Sequence, residues 1–235
     1  MSTAASRRFY KSVSVRPEGE GFAVFLDERA LKTPAKRPLV LPTEALAQAV
    51  AEEWGGQGDQ IKPLTMPLTR LAYTALDRLA EDPSKAIDEA AAYAGTDLVC
   101  YRASHPLMLV RRQEEGWQPL LDWLSRRYDV ALVVTSGVMA VRQSDEAMAR
   151  LKAVVAARDP LRLAALHALT TASGSLVIAL AVAEGEIDAA RAFDLAHIDE
   201  TVQAEQWGED AEAAAARDAV RQDIAASGRF LALLD

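Results

Sequence analysis

The sequence predicts an α+β protein: a small N-terminal antiparallel β domain over residues 1–42, followed by a larger, mostly α-helical domain over residues 43–235. Three observations carry this. Residues 9–41 alternate apolar and polar side chains with the period of a strand. From Pro42 onward the apolar residues recur every three or four positions, the period of a helix. Hydrophobic residues make up 50% of the chain and charged residues 26%, enough to bury a core under a solvated surface.

The first strand is read in FYKSVSV, where Phe9, Lys11, Val13 and Val15 alternate with Tyr10, Ser12 and Ser14. PEGEG (17–21) is a turn, and FAVFLD returns with Phe22, Val24 and Leu26 on one face, which makes a hairpin. ALKTP and PLVLP add two short strands, placed at an edge because proline donates nothing to a ladder. Thr43 is an N-cap, and Leu46, Val50 and Trp54 fall on one helical face that Gly55-Gly56 ends. A second helix carries Leu68, Leu71, Ala72, Ala75, Leu76 and Leu79 in one stripe. Asp82-Pro83 opens a third, to about Tyr93, and a fourth is expected from about Trp117 through Leu120, Leu121, Leu124 and Tyr128. VALVVTSGVMAV (130–141) is rich in β-branched residues and predicts a short strand inside the helical domain. Ser144 and Asp159-Pro160 start two helices, and Ser173 or Ser175 starts an apolar one ending near Gly185. One long helix is expected over 187–207 and a last one from Asp210 to about Ser227-Gly228. There is no tandem repeat and no low-complexity linker.

Several functions are disfavoured. The net charge of -8 repels a phosphate backbone, and the basic pairs Arg7-Arg8, Arg111-Arg112 and Arg126-Arg127 are too short to make a nucleic-acid track. The single cysteine, Cys100, excludes an intrachain disulfide and fits a reducing compartment. No apolar run reaches the ~18–20 residues of a membrane span, so no membrane insertion is expected. MSTAASRR has transit-peptide composition, but strand-like alternation begins at Phe9; the simpler expectation is a bacterial cytoplasm, or the mitochondrial matrix for a eukaryotic source.

Enzyme signatures are missing: there is no phosphate loop, no dinucleotide fingerprint and no nucleophile elbow. Asp194, His197 and Glu200 stand three apart on one expected helix face and suggest a divalent-metal site. The preferred reading is a solvated acidic face that contains a histidine, so no metal, no cofactor and no catalytic residue are expected. Cys100 lies among apolar residues and reads as a buried thiol rather than a nucleophile.

Two stretches echo each other, EEWGGQ (52–57) and EQWGED (205–210). In both, a tryptophan stands at a helix end before glycine. Pattern alone reads Trp54 and Trp207 as aromatic anchors that dock the helix on the core, with the next glycine in the left-handed conformation that stops it.

The blocks RRFYKSVSV, LDERALKTP, EEW, MPLTRLAYTALD, GTDLVCYR and IDETVQAEQWG, in this order over residues 7–208, resemble the family of F-type ATP synthase assembly chaperones that handle the alpha subunit (the Atp-twelve family). The resemblance implies a non-catalytic, monomeric assembly factor. Such a factor holds the unassembled alpha subunit of the catalytic head, prevents its aggregation and hands it over to beta. It also implies a small β domain before a larger helical one. A constitutive subunit of a complex and a metal-dependent hydrolase are the alternatives. Glu200, Gln203, Trp207 and Gly208 match the family's ExxQxxxWG, after which EDAEAAAARD departs from the His-Asp pair of many relatives. Asp97, Cys100, Tyr101 and Arg102 match its TDxxCYR, and Asp97 with Arg102 is expected to be a fold-stabilising pair or cap. Glu200, Gln203, Glu205, Trp207 and Glu209 are the expected partner-binding residues, on an acidic helix face that also carries Asp199. Trp54, Asp97, Arg102 and Gly208 are expected to serve the fold.

Overall fold

The computed structural model describes residues 7–137, 140–208 and 210–235. Alternation produces the expected hairpin. Strands β1 (Val13–Glu18) and β2 (Gly21–Leu26) pair antiparallel, with Val13 opposite Leu26 and Glu18 opposite Gly21. Gly19 takes the first loop position at φ 59°, a conformation that glycine adopts without steric cost and that matches the strand twist. Strands β3 (Arg29–Ala30) and β4 (Val40–Leu41) both pair antiparallel with β2, which is therefore the centre of the sheet. Pro34 lies in the loop between them, outside either ladder.

The sheet needs a cover for its apolar face, and helix α1 (Glu44–Gly55) supplies it. Thr43 caps α1 by accepting from the Leu46 amide at 3.2 Å. Val24, Leu26, Leu39 and Leu41 of the sheet join Leu46, Val50 and Trp54 of α1 in one buried cluster that continues into the helical region. The helical region comprises α2 (Pro67–Thr74), α3 (Ser84–Ala92), α4 (Leu107–Tyr128), α5 (Asp145–Ala156), α6 (Pro160–Ser173), α7 (Leu176–Ala183), α8 (Ala189–Ala196), α9 (Ile198–Trp207) and α10 (Ala211–Ala232). Helix α7 is the hub: every residue from Leu176 to Val182 is buried, and α4, α6, α8 and α10 pack around it. Among the described residues no helix is long and apolar enough to cross a membrane. The fold class is the one the sequence predicts.

Four elements differ from the sequence reading, each for a physical reason. Helix α4 begins at Leu107, not near Trp117, and carries Pro119 in its interior. The helix expected over 187–207 is two, because His197 leaves the helical region at φ -120°, ψ 29°. Helix α10 runs through Ser227-Gly228 to Ala232, since Gly228 serves close packing rather than termination: a Cβ there would come within 2.8 Å of the Ala189 Cβ. The strand expected in 130–141 is confined to β6 (Thr135–Ser136), parallel to β5 (Tyr101–Arg102). Upstream of β6, Gln143 clamps the Val133 backbone in place of a neighbouring strand, donating to its carbonyl at 2.9 Å and accepting from its amide at 2.7 Å. Residues 138–139 of that stretch lie outside the described residues.

Candidate partner-binding site

The two tryptophan blocks have opposite environments. In the first, every residue is engaged inside the fold. Glu52 pairs with Arg229 at 3.1 Å. The Glu53 carboxylate accepts from the Leu68 and Thr69 amides, each at 2.8 Å, and so caps the N-terminus of α2; its burial pushes the carboxyl above the usual range despite those bonds. Trp54 is 7% exposed, packs on the Tyr10 ring at 5.8 Å and accepts the Tyr10 hydroxyl on its carbonyl at 2.7 Å. Trp54 is therefore an anchor. The glycine that follows is not left-handed, however: Gly56 sits at φ -75°.

In the second block the anchor reading fails. Trp207 is 78% exposed. Gly208 has a positive φ of 81° but an extended ψ of 168°, so it turns the chain out of α9 instead of closing a left-handed cap. Helix α9 buries a single residue, Val202. The 3.6-residue period then sorts its side chains. Asp199, Val202 and Glu205 turn toward α4, whereas Glu200, Gln203 and Trp207 share the solvent face. Glu209 lies outside the described residues.

Helix α4 supports α9 through a polar seam. Gly116 lets the α8–α9 joint come close, because a Cβ there would stand 2.8 Å from Leu195 Cδ2 and 3.0 Å from Ile198 Cδ1. Buried Gln113 donates to Asp199 Oδ1 at 2.6 Å and accepts from the Ala103 amide at 2.7 Å. Trp117 Nε1 donates to the Leu195 carbonyl at 2.8 Å. Arg112 reaches Glu205 with contacts of 2.8 and 3.0 Å, and this hydrogen-bonded guanidinium holds the Glu205 carboxyl below its ordinary range. From Gly116 to Arg112 the seam follows α9 from its start toward its end. The helix ends that lie beyond it carry exposed apolar side chains, Leu107 (64%) and Met108 (41%) on α4 and Trp207 on α9. Trp207, on the solvent face of α9, is flanked there by Glu200 and Gln203, with the Arg112–Glu205 pair on the side that meets α4. Leu107 and Met108 went unnoticed in the sequence, and Arg112 was read only as half of a short basic pair. The spacing of Leu109, Gln113, Gly116 and Leu120, continuous with Leu124, is the signal that extends α4 back to them.

The remaining candidates serve other ends. Asp97 is fully buried; it accepts from the Val99 and Val177 amides at 3.2 and 3.1 Å and from the Ser175 hydroxyl, at the starts of the 98–100 turn and of α7. Desolvation outweighs those bonds and raises its carboxyl to about 6. Arg102 takes different partners, the Val99 and Gln113 carbonyls, both at 3.0 Å, and lies over the Trp117 ring. Asp97 is thus a cap rather than the ion-pair partner of Arg102. Cys100 is buried, and desolvation raises its thiol to about 12, far from a reactive thiolate. Asp194, His197 and Glu200 do not converge. The break at His197 separates the helices that carry the two acids, and the buried imidazole stacks on Phe193 with centroids 4.1 Å apart. Among the described residues no group of three histidine, cysteine or acidic side chains is placed to hold a metal ion.

Comparison with known proteins adds a second line. A family model described as ATP12 chaperone protein matches residues 7–125. The crystal structure of Atp12 from Paracoccus denitrificans is similar over 97% of this chain and 98% of its own, with 47% identity and a TM-score of 0.91. An aspartate-to-lysine mutant of that Paracoccus protein is similar over the same shares, at 46% identity and a TM-score of 0.91. The mitochondrial protein atp12 of the fission yeast Schizosaccharomyces pombe is 23% identical over 218 residues, covering 86% of this chain and 74% of the relative.

Proposed function

Because the chain belongs to the ATP12 chaperone family, we propose that it is an assembly chaperone of the F-type ATP synthase that binds the unassembled alpha subunit and releases it for pairing with beta. It acts by binding, without turnover, and as a monomer. A subunit outside its ring exposes surface meant for its neighbours, and such surface aggregates. A holder that must also let go needs a face of mixed character, with an aromatic anchor inside a charged rim.

One observation carries this reading: the tryptophan of the family block ExxQxxxWG is 78% exposed on a helix that buries only Val202. A large exposed aromatic with no packing role in its own fold suits a partner contact. Glu200 and Gln203 on the same helix face supply the polar rim. Gly208 turns the chain away directly after the anchor.

The test is dilution of denatured alpha subunit into buffer with and without the purified protein, followed by light scattering. Suppression of scattering at near-stoichiometric ratio is expected. Trp207→Ala is expected to fold like the parent by circular dichroism yet lose most of the suppression. Equal scattering with and without the wild-type protein would reject the proposal, and full suppression by Trp207→Ala would remove the site from it.

A further inference from the structure

We infer that Arg112 is a positioning residue for the client-binding face: its ion pair with Glu205 latches the free end of α9 onto α4 and fixes the direction in which Glu200, Gln203 and Trp207 are presented. This inference rests on the function proposed above and adds a residue outside the acidic helix.

The argument is one of leverage. Helix α9 is pinned at its start, where Ile198 fits the space left by Gly116 and Asp199 accepts the Gln113 amide at 2.6 Å. Among the described residues its other end has no comparable grip apart from Arg112. Val202 is its one buried residue. Beyond Trp207 the chain leaves through Gly208 at φ 81°, with nothing within 4 Å of where a Cβ would stand. Glu205 lies seven residues past Ile198, ~10 Å along the axis at 1.5 Å per residue. A contact at that distance from the pivot governs the angle of the whole arm. The contact there is the Arg112 guanidinium, which meets both Glu205 carboxylate oxygens, at 2.8 and 3.0 Å. That two-point geometry sets orientation as well as distance.

Both partners are partly exposed, at 39% and 47%, so the latch is weak and reversible. That suits a chaperone. Glu205 therefore acts chiefly through Arg112, while the client meets Glu200, Gln203 and Trp207. A charge swap separates this from the alternative, in which Glu205 touches the client itself.

The experiment uses the full chain in four forms: wild type, Arg112→Gln, Glu205→Gln, and the double variant Arg112→Glu with Glu205→Arg. The first readout is hydrogen exchange of the amides of 202–207 in the protein alone, and the second is capture of alpha subunit. Both single variants should exchange about two- to fivefold faster in that segment, as expected for loss of an exposed pair. The difference from wild type should shrink near 1 M salt, where screening falls to about 3 Å. Capture should weaken in both single variants, and the swap should restore both readouts. Unchanged exchange in Arg112→Gln would overturn the latch. A swap that restores exchange but not capture would overturn the positioning role, since Glu205 would then be a direct contact. Failure of the wild-type protein to capture alpha would reject the function proposed above, with the exchange arm still deciding the latch.

Discussion

Asp97 and Trp207 mark the two ways in which a side chain can depart from its ordinary surroundings. Trp207 is a large apolar group left in water, and the consequence proposed for it lies outside the molecule. Asp97 is a carboxylate taken wholly out of water, and its consequence is for stability. Hydrogen bonds from Ser175, Val177, Val99 and Leu176 favour its ionised form, yet burial prevails and raises the carboxyl to about 6. Because the folded-state value lies above the unfolded one, the folded protein binds this proton more tightly. The stabilising contribution of Asp97 is therefore full below about pH 4, the unfolded value, and is lost as pH rises through about 6. The span corresponds to roughly 3 kcal/mol at 1.36 kcal/mol per pH unit. Urea unfolding of wild type and Asp97→Asn between pH 4 and pH 7 tests this. The gap in favour of wild type is expected to widen on acidification, and a constant gap would contradict the assignment. The sequence marked Asp97 as serving the fold, in a pair with Arg102 or as a cap, and the cap is the role the structure gives it. It did not mark the burial, which depends on α7 arriving from far along the chain.

At the scale of elements, local signals located the capped starts well, missed the uncapped starts of α4 and α9, and located stops poorly. Thr43, Asp82, Ser144, Asp159, Ser175 and Asp210 each accept a backbone amide at or beside the start of their helix, and each is recognisable as a cap residue in sequence. Glycine was the misleading signal, because it stops some helices and lets others touch. Ser227-Gly228 reads as a stop but lies inside α10, where Gly228 meets the start of α8. Gly228→Ala brings a Cβ to 2.8 Å from the Ala189 Cβ, an atom that cannot move without its helix. Alanine gains about 1 kcal/mol of helix propensity over glycine. Overpacking at a close helix contact costs about 1–3 kcal/mol, so the net expectation is a loss of up to about 2 kcal/mol. Gly55→Ala is the control, because nothing lies within 4 Å of its would-be Cβ and the same propensity gain goes unopposed. Thermal unfolding that placed both variants above wild type would show that α8 and α10 are not in tight contact. The break at His197 has the same lesson: no proline or glycine marks it, and the imidazole folds back on its own last turn, stacked on Phe193 and within 3.0 Å of its carbonyl.

At the scale of the whole molecule, the order of a small sheet and then a helical body was legible because the change of period at Pro42 is abrupt. What periodicity could not convey is how firmly the two parts are joined. The loop between β3 and β4 grips the helical region: Arg37 donates to the Leu76 carbonyl at 2.7 Å and pairs with Glu81, and the Ala35 amide donates to Asp77 at 3.0 Å. Leu76 lies in a π turn (Ala75–Leu79) that continues α2, a local widening that the plain stripe of Leu68, Leu71, Ala72 and Leu76 does not announce. From the other end of the chain, Thr43 donates its hydroxyl to the Leu233 carbonyl, so the close of α10 meets the start of α1. Sheet and helices also share one buried cluster, running from Val24 and Leu41 through Trp54 to Trp117 and Leu180. A core that crosses the joint in this way makes the parts unfold together. Leu41→Ala, a truncation in the sheet, is accordingly expected to cost about 2–5 kcal/mol. It should shift the urea midpoint of helix ellipticity and of tryptophan fluorescence by the same amount, although most helices lie far from residue 41. If the helical signal kept its wild-type midpoint while the sheet melted early, the β unit would be a separate domain, and the chaperone would present its client face on a body to which the sheet is only tethered.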